Sequence, residues 1–412
     1  MVHFKTLNNG IRLIVKRMPG LMSVTMGIIV HTGASVESDK EDGISHFIEH
    51  MMFKGTKKRT AFRISDEMDA IGAQMNAFTS KDITCYYAKS TTGHAAEAFE
   101  ILSDLFLNST FPEDEMAREK GVIIEEINMN DDTPDDLCLD LLSEAYYGER
   151  GYGRNILGSR ENVNGFTRSD IKEYISKRYV PENIVISMAG NIDSDLAEEL
   201  TEKYFADVKP AKADNKPVKV QLCARSLFRK KDIEQIHLGL AFPSVKRYDS
   251  LYDATQIMNS VLGGSMSSRL FQKVREELGL AYTVYSYLST YAEAGSLVVY
   301  AGVNAENYLK SVDAVLACID DIKKKNISKE EFMRGKEQLT SSSVFAQEST
   351  SSQMLLYGKE LIYSGRVYDF EERVRKIASV TLDDVMSAIE NNFDKTRLAS
   401  AVVGKTDKPL QL

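Results

Sequence analysis

Cysteine is scarce in this chain, and the four present, Cys85, Cys138, Cys223 and Cys318, lie far apart. With no CxxC pair among them, a disulfide framework and a cysteine zinc cage are both excluded; reduced thiols in a cytosolic protein are the simplest reading. Long apolar runs are missing too, and nothing approaches the roughly 20 residues of a membrane span. The opening residues, MVHFKTLNNGIRLIVKRM, lack a cationic start followed by an apolar run and a small-residue cleavage site. A cytoplasmic location with no membrane partner is therefore expected. Nor is there an excess of positive charge. The formal net charge is −9, which disfavours nucleic acid and suits a cationic peptide better.

What is present is ordinary for a soluble globular protein: 43% hydrophobic and 27% charged residues over 412 positions, enough for two domains. Histidine numbers only six, yet two of them fall one turn apart around a glutamate in GISHFIEHMMFKGT, residues 43–56. No Gly or Pro interrupts Ile44–Lys54, and Ile44, Phe47, Ile48, Met51 and Met52 recur with helical spacing. On a helix His46 and His50 share a face, with Glu49 beside them. Two imidazoles converging on one point can bind Zn²⁺, and the neighbouring carboxylate can take a proton from water. The pattern is the inverted zincin motif, H-x-x-E-H.

A zinc peptidase site needs a third protein ligand and one position left for water. The helical pattern Asp114–Asn130 supplies candidates. Glu119 and Glu126 lie seven apart on nearly one face, whereas Glu125 points away from Glu119. Such a pair suits one ligand with a second carboxylate behind it; a solvated acidic face is the alternative. Gln74–Ser90 reads as two strands joined by a tight turn at Ser80–Asp82. An edge strand there could take an extended peptide by strand addition, the alternative being an ordinary core hairpin. Asp136 and Asp140, four apart after Pro134, form a like-charge pair suited to holding a cation or simply a solvated face. Arg275 and Tyr282, seven apart across Gly279, could each donate a hydrogen bond to a carbonyl or a developing oxyanion.

The order of signals recurs after a polar, Lys- and Pro-containing stretch, residues 209–226, which is expected to be a linker. Val24-Thr25-Met26-Gly27 resembles Ile236-His237-Leu238-Gly239 at an offset of 212 residues. Thr167–Asp170 and the apolar strand to Gly190 resemble Thr381–Asp384 and the strand to Gly404 at an offset of 214. Two diverged copies of one domain are expected, residues 1–208 and 227–412. At offset 212 the motif residues fall on Met258, Val261 and Leu262, so one zinc per chain is expected.

These segments, together with EKGVIIEEI, GRNILG and SSRLFQKVREELGLAY, occur in the order found in the pitrilysin and mitochondrial processing peptidase family of zinc metalloendopeptidases, which the chain resembles over nearly its whole length. It looks most like bacterial homologues of the processing peptidase β-subunit. The resemblance implies an α+β fold, each half an antiparallel sheet covered by helices. It implies Glu126, 76 positions beyond His50, as third zinc ligand, Glu119 as the supporting carboxylate and Glu49 as the base. It places Asn76, Ala77, Phe78 and Thr79 in the strand that pairs with substrate backbone. It also implies that Asp136 and Asp140 bind an arginine near the scissile bond, and that Arg275 and Tyr282 hold substrate and stabilise the tetrahedral intermediate. Relatives of this length form dimers around a closed chamber, so a homodimer with Arg275 and Tyr282 acting in trans is expected. The function implied is zinc-dependent hydrolysis of unfolded or presequence-like peptides. A non-catalytic scaffold subunit, or a subunit needing a different partner, is the alternative.

Overall fold

The computed structural model describes residues 2–214, 218, 220–407 and 410. The chain divides into two compact units, Met1–Ile127 with Asn155–Pro217 and Phe345–Tyr368, and Asn128–Arg154 with Val218–Val344 and Asp369–Leu412.

The first unit holds six strands: β1 (Val2–Thr6), β2 (Arg12–Arg17), β3 (Ser23–Val30), β4 (Gln74–Thr79), β5 (Thr84–Thr91) and β6 (Ile184–Gly190). Their order in the sheet is β1-β2-β6-β3-β5-β4, which leaves β4 at an edge. The β1–β2 hairpin turns at Asn8-Asn9-Gly10, where Gly10 has φ 99° and the Asn9 amide reaches the Phe205 carbonyl at 2.7 Å. β3 and β6 are apolar on both faces, because helices cover the sheet on both sides. On one face Met26, Ile28, Tyr86 and Ile186 meet Phe47, Ile48 and Met51 of the helix Ile44–Met52 and Phe99 and Leu102 of Ala95–Asn108. On the other, Ile14, Ile29, Val185 and Ala189 are covered by Met354, Tyr357 and Leu361 of Thr350–Ser364. That helix lies close: a Cβ at Gly27 would collide with the Met354 sulfur, and one at Gly358 with Ile29.

The second unit holds β7 (Ser226–Lys230), β8 (Gln235–Pro243), β9 (Ala281–Thr290), β10 (Gly295–Asn304) and β11 (Ala399–Gly404), in the order β7-β11-β8-β10-β9. This repeats β2-β6-β3-β5-β4 of the first unit strand for strand. Both capping boxes expected from the repeat are formed, at Thr167 with Asp170 and at Thr381 with Asp384. Leu137, Cys138 and Leu142 of the helix Pro134–Tyr147 cover Ala241, Ala399, Ala401 and Val403.

The α+β class is as expected, with two differences in detail. The sheets are mixed rather than purely antiparallel, since β2 runs parallel to β6 and β7 to β11. In each unit the last strand returns to the sheet after a long helical excursion, and a parallel pair needs such a crossover. The units also do not follow the chain halves 1–208 and 227–412. Residues 128–154 belong to the second unit and 345–368 to the first. Each sheet has a second apolar face, and the helix that buries it comes from the other half of the sequence. The division falls inside the expected linker 209–226, of which 215–217 and 219 lie outside the described residues. Among the described residues no helix is long and apolar enough to cross a membrane.

Candidate metal centre

The helix Ile44–Met52 is amphipathic. Its apolar side enters the core of the first unit, and His46, Glu49 and His50 lie on the remaining side. The two imidazole centroids are 4.5 Å apart. The helix Glu113–Asp132 brings Glu126 to them, so that Glu126 Oε2 stands 3.6 Å from His46 Nε2 and 3.5 Å from His50 Nε2. Those separations are long for hydrogen bonds. They match the edge of a tetrahedron whose centre is about 2 Å from each ligand, which is about 3.3 Å. Glu126 Oε2 is buried and has no hydrogen-bond partner among the described residues. A buried carboxylate oxygen without a donor calls for a cation. The donor set, two imidazoles and one carboxylate, is one that zinc accepts with a position to spare.

The two imidazoles differ in their affinity for protons. Burial, followed by repulsion from His50, pushes His46 down to about 3, so it is neutral near neutral pH. His50 is also pulled down by burial. Its hydrogen bond to Glu119 and the charges of Glu126, Glu119 and Glu49 outweigh this and raise it. Burial alone would raise Glu119, but bonds to His50 and Lys54 hold its carboxyl below the usual range. Glu119 is therefore an ionised acceptor. His50 donates through Nδ1 at 2.8 Å and turns its Nε2 lone pair toward the cluster, while Lys54 Nζ lies 2.6 Å from the second Glu119 oxygen. Burial raises the Glu49 carboxyl despite bonds from Thr79, whose hydroxyl donates to Glu49 Oε2 at 2.5 Å.

Thr79 ends β4, the edge strand that also carries Asn76, Ala77 and Phe78 and, among the described residues, pairs only with β5. The Ala77 N–H donates to the Asn76 side chain at 2.8 Å, and the Lys359 ammonium lies 5.8 Å from the Phe78 ring centre. The other expected residues belong to the second unit. Arg275 lies in the π-helical turns Phe271–Glu277, its guanidinium 4.7 Å from the Phe271 ring centre and 5.4 Å from that of Tyr282. Tyr282 is 75% exposed, and the Arg275 Nε also stands 3.6 Å from Glu276 Oε1, so the pair sits together at the surface. Asp136 and Asp140 lie on Pro134–Tyr147. Asp140 accepts from Asn130 at 2.9 Å, and burial with the charges of Asp135 and Asp140 raises Asp136.

Three contributions to the centre go beyond the motif: Lys54 on Glu119, the Thr79 hydroxyl on Glu49, and Glu37, which bonds the start of the metal helix. Only Glu37 left a trace in the sequence, namely a helix that starts after a glycine and lacks a capping side chain of its own.

Comparison with known proteins meets this geometry. Residues 12–160 match the family profile described as "Insulinase (Peptidase family M16)", and residues 165–339 match "Peptidase M16 inactive domain". An uncharacterized zinc protease of Bacillus subtilis, YmxG, is 40% identical over 386 residues, 93% of this chain and 94% of its own. The chain belongs to the M16 peptidase family. Another relative, from Rickettsia felis and also described as an uncharacterized zinc protease, is 35% identical over 97% of both chains. Among solved structures, an M16 inactive domain from Pseudomonas fluorescens superposes with a TM-score of 0.92 over 100% of both chains at 21% identity. A protease from Helicobacter pylori gives 0.91 over 98% of this chain and 99% of its own, also at 21%. The fold is thus that of the M16 proteins. The second family segment includes the positions that correspond to His46, Glu49 and His50. There Met258, Val261 and Leu262 are buried in an apolar core.

Proposed function

We propose that this chain is a zinc-dependent endopeptidase that hydrolyses peptide bonds in unfolded or presequence-like peptides. The observation that carries the reading is the convergence of His46 Nε2, His50 Nε2 and the unpartnered Glu126 Oε2 beside Glu49. Zinc held by these three residues supplies Lewis acidity, which lowers the pKa of a water to about 7. Glu49, its affinity for protons raised by burial, takes the proton from water and returns it to the leaving amine. The free edge of β4 offers its backbone to an extended peptide, and Thr79 ties that strand to the base. Arg275 and Tyr282 donate to the substrate carbonyl or oxyanion, and Asp136 and Asp140 take a basic side chain. In this reading the active form is a homodimer in which Arg275 and Tyr282 act on peptide held by the other copy, and light scattering of an active sample would show a dimer. The complete ligand set, with its base, weighs against a non-catalytic scaffold.

The test is cleavage of a quenched fluorescent Arg-containing peptide by wild type and Glu49→Gln, with zinc measured on both. Zinc on both proteins is expected, with turnover lower in the variant by at least about 10²-fold. Equal turnover would sink the assignment of the base, and absence of stoichiometric zinc would sink the centre.

A further inference from the structure

We propose that Glu37 is a positioning residue for the metal centre: its buried carboxylate caps the helix Ile44–Met52 from outside and thereby sets where His46 stands. The inference rests on reading His46, His50 and Glu126 as metal ligands.

The helix cannot cap itself. Its N-cap is Gly43, which has no side chain to bond the first N–H groups. Nor does the position admit a serine or aspartate. Gly43 has φ 91°, and a Cβ there would meet Gly158 Cα and the Leu157 carbonyl oxygen at 2.7 Å each. Glu37 fills the role from six residues upstream. Its Oε2 accepts from the Gly43 N–H at 2.8 Å and its Oε1 from the Ser45 N–H at 2.9 Å. The N–H of Ile44 goes to the Glu41 carbonyl at 2.8 Å. A carboxylate also complements the positive end of the helix dipole.

Burying this group is costly, since it is only 5% exposed and burial pushes its carboxyl up to about 7 against the bonds from Ser45 and Gly43. Its surroundings hold it in place. Arg178 donates to the Val36 carbonyl at 3.1 Å. The Ser45 hydroxyl lies 2.8 Å from that of Tyr174, which lies 2.9 Å from that of Thr32.

His46 is the ligand that depends on this cap. His50 is oriented by Glu119, whereas His46 Nδ1 has no hydrogen-bond partner among the described residues. The imidazole of His46 is therefore located by its backbone, one residue past Ser45. The other end of the helix is held separately, by Ser109 Oγ donating to the Met52 carbonyl at 2.8 Å and by Thr79 on Glu49. Ligand positions at a metal tolerate displacements of about 0.2 Å, so loosening the first turn is felt at the ion while the second turn stays in place.

The test compares Glu37→Ala, Glu37→Gln and a control, Leu200→Ala, which removes a buried side chain from the same core. Zinc affinity is measured by competition with a chromophoric chelator. Ligand geometry is read from the visible spectrum of the cobalt-loaded protein. Both are recorded well below each melting transition. Glu37→Ala is expected to bind zinc about 10–100-fold more weakly, with an altered cobalt spectrum. Glu37→Gln keeps an acceptor oxygen and should recover part of the loss. Leu200→Ala should melt earlier yet keep wild-type affinity. The proposal is overturned by wild-type affinity and spectrum in Glu37→Ala, or by an equal loss in Leu200→Ala. A wild type without stoichiometric zinc would overturn the metal reading itself, and the inference with it.

Discussion

Glu119 does two things that cannot be separated by moving it. It accepts the Nδ1 proton of His50 and so fixes the tautomer, and it neutralises Lys54 close to the centre. Glu119→Gln keeps an acceptor for His50 but loses the charge that makes the bond strong. Zinc affinity is expected to fall about 10–100-fold while the fold stays intact, as measured by chelator competition alongside far-UV circular dichroism. Unchanged affinity would show that His50 is oriented by packing alone. Glu126 behaves differently, because its inner oxygen has no hydrogen-bond partner among the described residues.

At the scale of elements, the metal helix is fixed by what precedes and follows it. The segment after it is tied down by Asp104 of Ala95–Asn108, which accepts from Thr56 at 2.7 Å, from Arg59 at 2.8 Å and from Asn108 at 3.0 Å. Burial alone would raise the Asp104 carboxyl, but these three bonds hold it below its ordinary 3.8. Its contribution to stability is therefore fully present above the ordinary value and is lost as the pH falls through the lower folded value. Asp104→Asn should cost about 1–3 kcal/mol at neutral pH. That gap should close in acid once the wild-type carboxyl is protonated. Urea unfolding of both proteins at neutral pH and in acid decides this; a gap independent of pH would assign the loss to packing.

For the whole molecule, the exchange of segments between chain halves sets what can fold alone. The helix Thr350–Ser364 buries Met354, Tyr357 and Leu361 on the first sheet. At about 1.5–3 kcal/mol for each large side chain, its removal is comparable to the 5–15 kcal/mol that holds a domain together. A fragment ending at the expected domain boundary, residue 208, should fail to give a cooperative melting transition, and fusion of residues 345–368 should restore one. A cooperative transition from the fragment alone would refute this. The full chain should carry one zinc, because Met258 and Leu262, the counterparts of His46 and His50 in the second unit, are buried in an apolar core.

Much of this was legible in the order of residues. His46, Glu49 and His50 need only helical periodicity to share a face, and the two capping boxes and the repeat offsets are local patterns. Strand composition left the edge position of β4 open and only the family resemblance implied it, because pairing order is not a local property. The rest depends on contacts that no spacing encodes. Glu126 and Glu119 approach the histidines only because two helices pack. Glu37 caps a helix whose N-cap, Gly43, lies six residues later, where the backbone approaches Gly158 closely. The parallel pairs β2–β6 and β7–β11, and the helix each half gives to the other unit, follow from burying apolar sheet faces. That requirement is met by whichever segment of the chain can reach the face. The sequence by itself determined the H-x-x-E-H motif, the repeat and the class of fold. The tertiary structure decided which carboxylates stand beside the histidines, what holds each histidine, and which residues form a compact unit.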